Sequence, residues 1–140
     1  MLSNASVAPT IPVYDLDRAR KFYEEKLGLK PIQTRATGVL YDCGNGTTLF
    51  IYKGKVVKSD QVVAAFEVKD IDREIEDLKK KGVILEQCDL SKCDDLGKVA
   101  TFGRDKAMWF RDSEDNMLIV LQMGMLVEME QSFFPAYGQY

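Results

Sequence analysis

Apolar positions along the chain change their spacing at a few sharp points, and those changes predict the elements. Thr10-Ile11-Pro12-Val13 is a short β-rich run. Directly after it Leu16, Ala19, Phe22, Tyr23 and Leu27 fall on one side, with Asp17, Arg20, Lys21 and Glu24 toward water. That is the spacing of an amphipathic helix with one buried face. The same order returns later. Val62 to Val68 is a β-rich run, followed by an apolar stripe of Ile71, Ile75 and Leu78 and a wet face of Glu74, Glu76, Lys79 and Lys80. Asp15 and Asp70 stand where a side-chain oxygen can cap the first free helix N–H groups. Gly28 and Gly82 stand where the chain needs a left-handed residue to leave a helix. Lys26 in one copy and Lys79 to Lys81 in the other suit the negative end of the helix dipole. Val13-Tyr14-Asp15-Leu16-Asp17-Arg18 recurs as Val68-Lys69-Asp70-Ile71-Asp72-Arg73, so the two halves form an internal repeat.

Each predicted helix leads into three further strands. In the first half these are Pro31 to Thr34, Gly38 to Cys43 and Thr47 to Tyr52, with Asn45-Gly46 as a hairpin-turn signal between the last two. In the second they are Val83 to Gln87, Ala107 to Arg111 and Met117 to Gln122, with Asp112 to Asn116 as the connection. Each half reads β-α-β-β-β. The predicted organisation is a flexible N-terminus over 1–6, one domain over 7–122 (module one 7–55, module two 62–122), and an apolar extension over 123–140. The stretch Cys88 to Lys106 is long for a connection and is expected to form a lid, turning at Gly97 and Gly103 and pinned by Phe102. The extension, with Met123, Met125, Leu126, Val127, Met129, Phe133, Phe134, Pro135 and Tyr137, is expected to pack across the sheet or against a second subunit, which points to a homodimer.

Composition narrows the chemistry. A length of 140 residues with 46% hydrophobic content suits one domain with its own core. A net charge of −3 argues against an electrostatic nucleic-acid or membrane-surface binder. There is no histidine, which excludes an imidazole base, a Ser-His-Asp or Cys-His pair and any His-ligated metal. No run of eighteen apolar residues suggests a membrane span, and MLSNASVAPT does not resemble a secretory signal. Cys43, Cys88 and Cys93 are odd in number, and C-x4-C matches no common zinc pattern. They are read as reduced thiols of a cytoplasmic protein, with a regulatory Cys88–Cys93 disulfide as the alternative. Asp89, Asp94 and Asp95 lack the spacing of a calcium loop.

The repeat, the segment Val13 to Tyr23 followed by Leu27-Gly28-Leu29, and the turn Trp109-Phe110-Arg111-Asp112-Ser113-Glu114-Asp115-Asn116 resemble the vicinal oxygen chelate superfamily. This is the glyoxalase I, bleomycin-resistance and extradiol dioxygenase group, and the resemblance covers residues 7 to 122. In the turn, Ser113 and Asp115 replace a usual Pro and Gly. The resemblance implies an α+β fold of two tandem βαβββ modules forming a cup-shaped mixed sheet. It also implies four metal-ligand positions, usually His and Glu, one on each of four strands. Carried over singly, these fall on Ala8, on Leu49 (or Phe50 if the hairpin is shifted by one), on Val63 and on Ile119. None of these side chains has a lone pair to offer a metal. No metal and no other cofactor is therefore expected.

Strand alternation, combined with that carry-over, puts Val63, Ala65 and Glu67 on the cup wall and Ala64, Phe66 and Val68 beneath the helices. Glu67 is the candidate acid–base group, able to orient an amine or hydroxyl; the opposing reading leaves it at the solvent-facing end of its strand. Trp109, the single tryptophan, is expected to share a face with Ile119 and to stack on a planar ligand, or else to fill core or a dimer contact. Tyr41, Leu49, Ile51 and Met108 are further lining candidates whose faces exchange with a one-residue slip. The functional expectation is a metal-independent protein of the bleomycin-resistance type, holding a small, partly hydrophobic molecule in an apolar cup. The alternatives are a glyoxalase-like isomerase or lyase with a metal-free or non-standard site, and a dimeric scaffold whose cup is filled by its own side chains.

Overall fold

The computed structural model describes residues 1–86 and 99–123. Cys88, Cys93, Asp89, Asp94, Asp95 and Gly97, and all of the apolar extension beyond Met123, lie outside the described residues. Four strands form the first sheet: β1 (Thr10–Val13), β2 (Lys30–Arg35), β3 (Gly38–Asp42) and β4 (Thr48–Lys53), in the order β1-β4-β3-β2. β1 runs parallel to β4, and β2, β3 and β4 pair antiparallel. The second sheet repeats the plan with β5 (Val62–Glu67), β6 (Val99–Phe102), β7 (Asp105–Arg111) and β8 (Met117–Gln122), in the order β5-β8-β7-β6. Two mixed four-stranded sheets with few helices make this an α+β fold of two tandem modules.

The caps behave as their chemistry demands. Asp15 accepts the Arg18 N–H at 3.0 Å, opening α1 (Leu16–Lys21). Asp70 accepts the Arg73 N–H at 3.3 Å, opening α2 (Ile71–Lys80). Gly28 and Gly82 leave the helices at φ of 73° and 82°, conformations a side chain would strain. The first helix departs from expectation in its second half, where Phe22–Lys26 widens into a π turn. The widened turn buries Phe22 and Tyr23 in succession, the pair meeting edge to face at 5.6 Å.

Two strand assignments change in the second half. Val83 to Gln87 is not a strand in its described part; only Leu85 makes an isolated bridge, to Phe110. The third partner of the sheet is instead Val99–Phe102, inside the stretch expected to be a lid. Its Val-Ala-Thr-Phe sequence suits a pleated strand. Gly103, at φ 63°, lets a two-residue turn bring Phe102 opposite Asp105. β7 accordingly begins at Asp105, two residues earlier than the sequence pattern suggests. The Asn45-Gly46 signal marks a short 3-10 turn, with Asn45 at φ 57°.

By contact density the chain divides into two units, Met1–Ala64 with Arg111–Met117, and Ala65–Phe110 with the chain from Leu118 onward. The division differs from the sequence repeat because the turn Arg111–Met117 bonds within the first unit. In that unit Ile11, Val13, Val39, Tyr41, Leu49 and Ile51 form a buried layer with Ala19, Phe22 and Tyr23 of the first helix. In the second unit Ile71, Ile75, Leu78, Val83, Leu85, Phe110, Leu118 and Val120 are buried. The Ile71 N–H, free at the helix start, finds the Gln122 side chain at 2.8 Å. Among the described residues no helix is long and apolar enough to cross a membrane.

Candidate functional site

Register decides which side chains of the first sheet are available to a ligand. Tyr23 of the helix stacks on Tyr41 at 6.0 Å, so Tyr41 lies on the helix-covered face. Tyr41 pairs with Leu49, Val39 with Ile51, and Ile51 with Ile11, and direct cross-strand partners share a face. Tyr41 and Ile51 are wholly buried and Leu49 is 2% exposed. These three expected lining residues therefore belong to the packed core of the first unit. The open face carries the alternate set, Thr10–Phe50–Leu40 in one row and Pro12–Tyr52–Gly38 in the next. Ala8, two residues before Thr10, continues that parity. Of the two alternatives for the second ligand position, Phe50 shares the face of Ala8 and Leu49 does not.

Two glycines shape this face. A Cβ on Gly38 would sit 2.6 Å from Phe50 Cζ and 2.9 Å from the Ile51 carbonyl oxygen. A Cβ on Gly54 would sit 2.8 Å from Tyr52 Cε2. Each ring thus lies down over a position that only glycine leaves free. The half-buried rings of Phe50 and Tyr52 are parallel within 13°, with centroids 6.2 Å apart. Sequence reasoning named Phe50 only as a register alternative and missed Tyr52. The available signal was Gly38 and Gly54 flanking a strand of alternating aromatic and aliphatic residues.

Val63, Ala65 and Glu67 are exposed, while Ala64 is buried and Phe66 and Val68 are half-buried. Glu67 lies on that exposed side with Val63, which is 39% exposed. Trp109 and Ile119 are each half-buried between buried neighbours, Met108 and Phe110 for one and Leu118 and Val120 for the other. Met108, expected as a lining residue, is wholly buried opposite Val99 and presents no surface.

The four carried-over positions therefore read Ala8, Phe50, Val63 and Ile119, all hydrocarbon. They do not fit a metal ion, because none supplies an oxygen, nitrogen or sulfur donor. Among the described residues no group of three or more His, Cys, Asp or Glu side chains is placed to hold one.

The buried polar groups of the first unit have a different role. Asp112, Glu114 and Asn116 are each under a tenth exposed. Asp112 accepts the Tyr23 hydroxyl at 2.6 Å, the Glu114 and Asn116 N–H groups at 2.8 and 2.9 Å, and the Asn116 amide at 3.0 Å. That amide also donates to the Pro12 carbonyl at 2.8 Å. Glu114 accepts the Tyr14 and Asp15 N–H groups at 3.1 and 2.8 Å, Arg18 Nε and Nη2 at 2.7 and 2.9 Å, and the Ser113 hydroxyl at 2.9 Å. Burial alone would raise the Glu114 carboxyl; the Arg18 and Ser113 bonds, the Asp15 N–H and the Arg18 charge hold it at about 2. Burial, with Asp112 beside it, drives the Tyr23 hydroxyl well above its ordinary value. Burial and the bond to Glu24 raise Tyr41 in the same direction. Every carboxylate of this network is occupied by neighbouring donors, so it fixes the turn and the helix start.

Comparison with known proteins agrees with this architecture. A glyoxalase/bleomycin resistance/dioxygenase protein from Alicyclobacillus acidocaldarius is similar over 86% of this chain and 92% of its own, at 21% identity and a TM-score of 0.65. Lactoylglutathione lyase from Agrobacterium tumefaciens covers 88% and 96%, at 17% and 0.67. The genomically encoded fosfomycin resistance protein from Listeria monocytogenes covers 88% and 96%, at 14% and 0.66. At such identities the likeness is one of fold. No curated protein sequence matches significantly. The family model for the Glyoxalase/Bleomycin resistance protein/Dioxygenase superfamily matches residues 6–112, and the chain belongs to that superfamily.

Proposed function

We propose that the protein binds a small, partly hydrophobic molecule without a metal ion, on a sheet face not covered by helices. The reading is supported by the carry-over from the resemblance, which puts the superfamily's metal-ligand positions on Ala8, Phe50, Val63 and Ile119, all hydrocarbon. An apolar lining with few polar groups is the usual make-up of a small-molecule site. It removes the electrophilic centre that the lyase and dioxygenase members use, and leaves desolvation and shape as the sources of affinity. Glu67, on the exposed side of β5, supplies a carboxylate that would orient an amine or hydroxyl of the ligand.

The test is amide and methyl NMR of the labelled protein, titrated with a panel of aromatic and aliphatic compounds in the presence of chelator. Saturable shifts on the open face of at least one sheet, at Ala8 and Phe50 for the first or at Ile119 for the second, are expected for some members of the panel. Shifts confined to buried positions such as Leu49 and Ile51, or none in a correctly folded sample, would overturn the reading.

A further inference from the structure

We infer that the open face of the first sheet is a stacking subsite selective for a flat, conjugated ring system, with Phe50 and Tyr52 as its specificity residues. The inference rests on the open-face binding reading above and adds the class of ligand. The rings are parallel within 13° and 6.2 Å apart, and they are half-buried where the true core residues of β4, Leu49 and Ile51, are closed off. Gly38 and Gly54 let the rings lie down; a side chain at either position would force them upright, because the virtual Cβ atoms lie 2.6 and 2.8 Å from ring carbons. Across β1, β4 and β3 the two central rows, Thr10–Phe50–Leu40 and Pro12–Tyr52–Gly38, carry no charged side chain, and on β2 they continue to Gln33 and to the exposed Arg35. Asp42 and Lys30 pair in the exposed row opposite Thr48. A planar occupant offers a π face to two rings already aligned.

Stacking separates flat from puckered molecules of equal size, whereas plain apolar burial does not. The probes are 1-naphthol and its saturated counterpart decahydro-1-naphthol, measured by calorimetric titration. The intact chain is expected to bind 1-naphthol about fivefold more tightly than the saturated probe. Phe50→Leu and Tyr52→Leu are expected to bring the ratio near one while still binding decahydro-1-naphthol. Tyr52→Phe, which keeps the ring, should retain the preference and serves as the folded control, with melting curves for all three variants. Equal binding of both probes by the intact chain overturns the stacking subsite and leaves open-face binding standing. Binding of neither probe overturns both. A preference that survives in well-folded Leu variants also overturns the assignment to Phe50 and Tyr52.

Discussion

Glu114→Gln is the sharpest test of the buried turn. The carboxylate has no exposed side-chain surface and takes five donors: two backbone N–H groups, two from Arg18 and the Ser113 hydroxyl. Glutamine keeps the shape but turns one acceptor into an NH2 group, which must face a donor. Holding the carboxyl at about 2 instead of 4.5 corresponds to about 3 kcal/mol in favour of the folded carboxylate. Arg18 is 54% exposed on its side chain, so solvent screening lowers the expected cost of the substitution to about 2 kcal/mol. That lowers Tm by roughly 6–8 °C in a domain of this size. Because the folded value lies below the unfolded one, the contribution is fully present above pH 4.5 and is lost as pH falls toward 2. Urea unfolding of both proteins across this range should show a constant gap near neutrality that closes under acid. A gap under about 0.5 kcal/mol at pH 7, or one that does not narrow on acidification, would refute the reasoning.

Tyr23→Phe removes the 2.6 Å donor from buried Asp112 and should cost about 1–3 kcal/mol in urea unfolding; an unchanged midpoint would count against the network. Gly38→Ala forces Phe50 and the Ile51 carbonyl away from a Cβ at 2.6 and 2.9 Å, so a loss of about 1–3 kcal/mol is expected, and a wild-type melting curve would show that the ring stands elsewhere. Asp115 holds φ 68° where the superfamily turn carries glycine, and Asp115→Gly should stabilise by about 0.5–1 kcal/mol; destabilisation would mean that the side chain contributes more than its strain costs.

Much of the fold was legible because its boundaries are local chemistry. Asp15, Asp70, Gly28 and Gly82 act through backbone groups within a few residues, and the repeated hexapeptide places the Asp caps twice. The faces of β3 and β4 were not legible. Their parity depends on which row Tyr23 covers, a contact across eighteen residues to Tyr41, and a one-residue slip exchanges Leu49 and Ile51 with Phe50 and Tyr52. The hairpin at Gly103 was hidden because β6 is only four residues long and its partner lies immediately after the turn. Asp112, Glu114 and Asn116 read from sequence as a turn motif; their burial follows from Tyr23, Arg18 and Pro12, about a hundred residues away.

The central claim is that binding requires no metal, and one comparison tests it most directly. The affinity of the freshly purified chain for 1-naphthol is measured before and after exhaustive chelation, then again after adding back Zn, Ni, Mn or Fe. Superimposable isotherms are predicted, because Ala8, Phe50, Val63 and Ile119 offer no donor atom. Loss of binding on chelation, restored by one of these metals, would contradict the account.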